Sequence, residues 1–163
     1  MTISNLVDAE LALLEKGASS SSGPYLVQLD VSLGMLEFEL TEVDSMAVNL
    51  NYLQLSTSRL AAVGTEELKQ VGHDLAERLN YLLEPIAPIE IDSEGATIQM
   101  RSNPPRQDDD GTRYYELLVR QSGLSLRRYV KIPGAVRQGV AGQVTKDVMG
   151  RLATDFVATV ENR

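Results

Sequence analysis

The chain has 163 residues, 43% of them apolar, no cysteine and a formal net charge of −8 at pH 7. That length supports a single domain with a continuous core, and the lack of cysteine removes disulfides, thiolate nucleophiles, thiolate zinc sites and cysteine-ligated iron–sulfur clusters. The acidity argues against wholesale binding to nucleic acid or an anionic membrane, while leaving room for a local basic face.

Ile3, Leu6, Val7, Leu11 and Leu14 fall near helical spacing behind Thr2 or Ser4 as an N-cap, which predicts a short amphipathic helix over about 3–16, ended by Gly17. This segment carries Asp8, Glu10 and Glu15 and no base before Lys16, so it lacks the n-region of a secretory signal. No apolar run approaches the roughly 18 residues of a membrane span, and a cytoplasmic location is the expectation. Residues 18–24, Ala-Ser-Ser-Ser-Ser-Gly-Pro, read as a flexible tether.

Two β/α units follow, at 25–84 and 86–163. Tyr25, Val27, Leu29 and Val31 alternate with polar residues, as do Leu36, Phe38 and Leu40, with a turn at Ser32-Leu33-Gly34. A third strand over about 46–55 is expected to bury Val48, Leu50 and Tyr52 while Asn49 and Asn51 face out. Thr65 with Glu66 and Glu67 makes a capped, dipole-matched helix start, and Leu68, Val71, Leu75, Leu79 and Leu82 form one stripe down to Pro85.

In the second unit Ile89 and Ile91 are expected to pair with Ile98 and Met100 across Ser93-Glu94-Gly95. A hairpin then joins about 113–121 to 124–132, with Asn103–Gly111 as the loop before it. Thr145 caps a last helix in which Val148, Leu152, Phe156 and Val160 step by four. The expected fold is α+β: an antiparallel sheet of about seven strands, built as two strand-strand-strand-helix units, with the long helices on one face.

That arrangement leaves the other face open. With Ile98, Met100, Tyr115, Leu117, Val119, Leu126 and Val130 pointing at the helices, the period of two sends Arg101, Tyr114, Glu116, Leu118, Arg120, Arg127, Tyr129 and Lys131 outward. The N-terminal strands contribute Gln28, Asp30, Glu37, Glu39, Thr41, Asn49 and Asn51 to the same face. Arg128 is in phase with the buried residues, so it must sit at an edge, be paired, or mark a bulge. Charge divides in the same way. Residues 1–99 hold 4 Lys/Arg and 16 Asp/Glu, a charge of −12, while residues 100–163 hold 11 and 7, a charge of +4. Such a split orients a partner or a second copy of the chain.

Arginine and tyrosine are favoured at binding surfaces, which makes Arg101, Tyr114, Arg120, Arg127, Tyr129 and Lys131 the candidate partner-binding residues. The competing reading is a solvated face whose mixed charge keeps the sheet soluble. No catalytic, metal or cofactor residue is assigned. His73 is the sole histidine and reads as a surface residue beside Asp74 and Glu77. Asp108-Asp109-Asp110-Gly111 lacks the ligand spacing of an EF-hand and reads as a loop tip, and Gly139–Lys146 lacks the Gly-Lys-Ser/Thr ending of a P-loop. A nucleic-acid reading, with Arg120, Arg127 and Lys131 on phosphates and Tyr114 and Tyr129 stacking, ranks below a protein partner because acidic strands share the sheet.

The element order resembles the helix, three-strand, helix, strands, helix plan of small secretion chaperones, which dimerise and hold unfolded segments of a client; the resemblance implies protein binding in a chaperone- or adaptor-like role, and the opposed charges are expected to meet, acidic half to basic half, across the two-fold axis of a homodimer. The functional expectation is therefore a non-catalytic protein-interaction module working through its open sheet face, with no cofactor. A small-molecule or anion-binding protein, or an enzyme with an unrecognised pocket near His73 or residues 139–146, is the alternative.

Overall fold

Thr2 opens the first helix: its Oγ1 accepts from the Asn5 amide at 3.1 Å, and α1 runs Ile3–Gly17 with Val7 and Leu11 fully buried. The structure is a computed structural model that describes residues 1–17 and 23–163, so the tether at 18–24 lies outside the described residues but for Gly23 and Pro24. Three antiparallel strands follow, β1 (Tyr25–Val31), β2 (Gly34–Val43) and β3 (Ala47–Thr57). Then come α2 (Thr65–Arg78), a 3-10 turn (Leu79–Leu82), β4 (Ile86–Asp92), β5 (Thr97–Ser102), β6 (Arg106–Asp108), β7 (Gly111–Arg120), β8 (Gly123–Lys131), β9 (Gln138–Gly139), β10 (Gly142–Thr145) and α3 (Lys146–Glu161).

The fold is α+β, with a ten-stranded antiparallel open sheet whose main order is β1-β2-β3-β8-β7-β5-β4. The helices lie on one face of it. α3 packs on β3 and β10, α2 packs on β4, β5 and β7, and α1 packs chiefly on α3. Between helices and sheet sits one cluster of buried side chains, including Leu36, Phe38, Leu53, Leu55, Ile98, Leu117 and Val119 from the strands and Leu68, Val71, Leu75, Leu152, Phe156 and Val160 from the helices. Close approach is built in at Gly72, where a Cβ would lie 2.8 Å from Met100 Sδ and 3.2 Å from Val119 Cγ2. No helix among the described residues is long and apolar enough to cross a membrane.

Local chemistry explains several boundaries. Thr145 caps α3 by accepting from the Val148 amide at 3.1 Å. Glu66 and Glu67 occupy the first turn of α2 as expected, but the N-cap is Gly64 and no side chain caps the turn. Thr65 Oγ1 reaches the Ser93 carbonyl instead, at 3.5 Å. The two-residue turn between β7 and β8 depends on Gly123, whose φ of +145° and approach to the Leu55 carbonyl exclude a side chain.

Several details of the strands differ from expectation. The segment Asn103–Gly111, expected as a loop, contains β6, which forms a tight hairpin with the start of β7. Tyr52 does not join Val48 and Leu50 in the core. β3 pairs Leu50 with Leu40 but Tyr52 with Glu39, so Asn51 is an extra residue that turns Tyr52 onto the open face and puts Leu53 and Leu55 inside. β3 then changes neighbours at that bulge: Tyr52–Ser56 pairs with β8, whereas Ala47–Leu50 pairs with β10. Residues 139–146, expected from the sequence as an entry loop to the last helix, instead contribute to two short strands, β9 pairing with β8 and β10 with β3, before α3 begins at Lys146. On β4, Ile91 pairs with Ile98 as expected, but a bulge at Ile89 sets Pro88, not Ile89, opposite Met100.

Candidate functional site

The strand register lines up the open-face residues in rows across the sheet. One row reads Asp92, Thr97, Arg120, from β4 to β7. The next reads Glu90, Gln99, Leu118, Ser125, Gln54, Glu37, Gln28, from β4 to β1. A third reads Arg101, Glu116, Arg127, Tyr52, Glu39, from β5 to β2, and beyond it Tyr114 faces Tyr129. The face is therefore acidic on β1–β2, basic along β7–β8, and acidic again on β4. The simple division into an acidic and a basic half fails at β4, because Glu90 and Asp92 lie beyond the basic strands.

Two carboxylates organise this face. Glu37 accepts from Gln28 Nε2 at 2.7 Å, Tyr52 Oη at 2.8 Å and Gln54 Nε2 at 3.0 Å. Burial, and then the hydrogen bond to Glu37 and the charges of Glu37 and Glu39, push the Tyr52 hydroxyl up to about 12. Glu116, 4% exposed, accepts from Gln99 Nε2 at 3.0 Å, Arg101 Nε at 3.2 Å and Arg137 Nη1 at 2.5 Å. Burial alone would raise its carboxyl, but the hydrogen bonds from Arg137, Gln99 and Arg101, with the nearby Arg137 charge, outweigh that and hold it below the ordinary value.

Arg137 arrives from the segment between β8 and β9, which folds back over the sheet margin. Its guanidinium lies 3.9 Å from the Tyr129 ring centroid while it pairs with Glu116. Nothing in the local sequence pattern marks it, since Pro133-Gly134 signals a turn but not what the turn delivers. Because its ionised form carries these bonds, Glu116 stabilises the fold above the ordinary glutamate value of 4.5, and that stability is lost as pH falls through its lower folded value. Glu116→Gln is expected to cost about 1–2 kcal/mol at pH 7 in urea unfolding. The gap to wild type should close as the titration is carried well below pH 4.5.

The six candidate residues meet different fates. Arg101 is held on Glu116 with its guanidinium 4.8 Å from the Tyr114 ring centroid, and Tyr114 is buried beneath it. Lys131 donates to the carbonyls of Ile132 and Ala135. Tyr129 is half-buried against Tyr114 and Arg137. Arg120 and Arg127 are exposed and make no ion pair among the described residues; Arg127 stacks over Tyr52 at 4.9 Å. Between these two arginines lies Leu118, half-buried and central. It lines the 560 Å³ groove toward Glu90 and Asp92 as well as a 210 Å³ groove toward Tyr52 and Arg127.

Arg128 is indeed paired. It is 8% exposed on the helix side, with Nη2 3.0 Å and Nη1 3.3 Å from the two Glu84 oxygens, and its guanidinium covers the Tyr115 ring at 4.4 Å. His73 is exposed on α2 with Nε2 3.2 Å from Glu77, beside a mostly apolar groove lined by Leu79, Leu83 and Ile86. Asp108 shapes a hairpin tip: its Oδ1 accepts from the amides of Asp110 and Gly111, and its Oδ2 pairs with Arg113 at 2.9 Å. The Arg113 hydrogen bond holds its carboxyl below the usual range. Among the described residues no three His, Asp or Glu side chains are gathered as a metal set.

The architecture and this face define a class: an α+β protein with helices covering one side of an antiparallel sheet and a charged, tyrosine-bearing groove on the other. No family model, curated protein or solved structure matches the chain, so the likeness to secretion chaperones rests on element order alone.

Proposed function

We propose that the protein is a non-catalytic interaction module, chaperone- or adaptor-like, that binds a protein partner through its open sheet face. The observation that supports this reading is the setting of Leu118. An apolar side chain stands at the centre of a polar face, between two exposed arginines that form no ion pair among the described residues, and close to Tyr52 and Tyr129. Arginine and tyrosine are among the residue types that dominate the energetic centres of interfaces. The surrounding networks on Glu37 and Glu116 hold the groove walls in place, so little ordering is needed on binding.

A second copy of the chain is one candidate partner. For a face-to-face pair with its two-fold axis along the strands, however, the β4 carboxylates would lie over β1 and Asp30, which sets like charge against like. Capture from a native lysate tests the reading. Wild type is expected to retain a protein that Arg120→Glu/Arg127→Glu loses, while His73→Ala, on the helix side, retains it. Identical captures by all three would return the face to plain solvated surface.

A further inference from the structure

The open face carries one feature that selects a ligand chemistry, the spacing along the strands of its two exposed arginines, Arg120 and Arg127, which form no ion pair among the described residues. Arg120, Leu118 and Glu116 are successive open-side residues of β7, and Arg127 is the cross-strand partner of Glu116. Glu116 already accepts from Gln99, Arg101 and Arg137, so the cation at that level without an ion pair among the described residues is Arg127, stacked on Tyr52. From the level of Arg120 to that of Arg127 is four residues, about 13 Å at strand rise, with Leu118 midway. An extended polypeptide has the same rise and the same period of two, so its residues i, i+2 and i+4 project to one side over the same distance.

Resting on the reading above, we infer that the strip of the groove along β7 and β8 receives an extended acidic segment of the partner, with carboxylates at i and i+4 facing Arg120 and Arg127 and an apolar residue at i+2 on Leu118. The flanks fix its direction. Glu37 and Glu39 on one side and Glu90 and Asp92 on the other repel a negative chain laid across the strands, leaving only the course along them. The same flanks oppose a broad polyanion such as a nucleic-acid duplex. Ser125 offers a hydroxyl beside the course, while Tyr52, Gln54 and Gln99 line it with their donors already given to Glu37 and Glu116.

The test is fluorescence anisotropy with a fluorescein-labelled peptide Gly-Ser-Glu-Ser-Leu-Ser-Glu-Ser-Gly. Its companions carry lysine for glutamate, serine for leucine, or the two glutamates side by side. The first peptide is expected to bind, with affinity reduced about tenfold by Arg120→Glu/Arg127→Glu and several-fold by raising salt from 50 to 300 mM. The serine and adjacent-glutamate peptides should each bind several-fold more weakly. Both arginines are on the surface, and circular dichroism of this variant and of Arg120→Gln/Arg127→Gln checks that folding is unchanged. Equal or tighter binding of the lysine peptide overturns the inference. So does absence of binding by every peptide at 1 mM while the lysate capture still separates wild type from the double variant; the broader reading then stands. A peptide-free dimer in sedimentation, dispersed by the double substitution, overturns it in favour of a second copy.

Discussion

Phe156→Ala is expected to lower stability by about 3–5 kcal/mol, since truncating a buried phenylalanine loses its transfer free energy and leaves a cavity. Phe156 is fully buried in α3, the helix that packs on β3 and β10 and carries α1 on its other side. The loss is a large share of the roughly 5–15 kcal/mol that holds an ordinary domain together. At about 2–4 °C per kcal/mol for a chain of this size, the melting temperature should fall by roughly 10 °C. α1 should suffer with it, because its main support is α3; hydrogen exchange of the Val7 and Leu11 amides should accelerate more than that of β7. Phe156→Leu is expected to cost far less, and similar losses for both would mean that the position is not packed as seen.

The second large effect is at the buried pair Glu84–Arg128. Two oxygens meet two guanidinium nitrogens there, and Tyr115 covers the cation. Glu84→Ala leaves a guanidinium that is 8% exposed without its counter-charge, and about 3 kcal/mol of stability should be lost in urea unfolding. Glu84→Leu/Arg128→Leu removes both charges and should recover much of that loss, because the desolvation of two ions disappears with their attraction. If the losses of Glu84→Leu and Arg128→Leu, measured singly, add up to that of the double variant, the pair is not coupled.

What could be read from the sequence depended on whether a residue's role was local. The stripe from Leu68 to Leu82, the Thr145 cap and the alternation of Tyr115, Leu117 and Val119 obey short-range rules and stand in the structure as expected. Tyr52 broke the alternation at the bulge at Asn51, where β3 divides its edge between β8 and β10, strands 67–75 and 92–98 residues distant in the chain. Arg128 looked anomalous for a sound reason, and its partner Glu84 lay 44 residues away.

The site was half legible. Arg120, Arg127 and Tyr129 follow from strand parity, and they do share a face. Arg137 does not follow, since a turn segment has no periodicity to say where its side chains land. The charge division was visible in the chain, but its layout was not: only the strand order puts Glu90 and Asp92 outside the basic strands and makes the face acidic, basic and acidic in turn. Arg101 and Lys131 counted as free charges in the sequence, and the fold commits one to Glu116 and the other to backbone carbonyls.

The claim that the open face is the working surface is tested most directly by placing a benzoylphenylalanine photocrosslinker at Ser125, in the middle of the groove, and separately at Glu67 on α2, in cells that make the protein naturally. A discrete protein adduct from position 125 and none from position 67 is the result expected. Adducts from position 67 alone, or the same diffuse background from both, would contradict it.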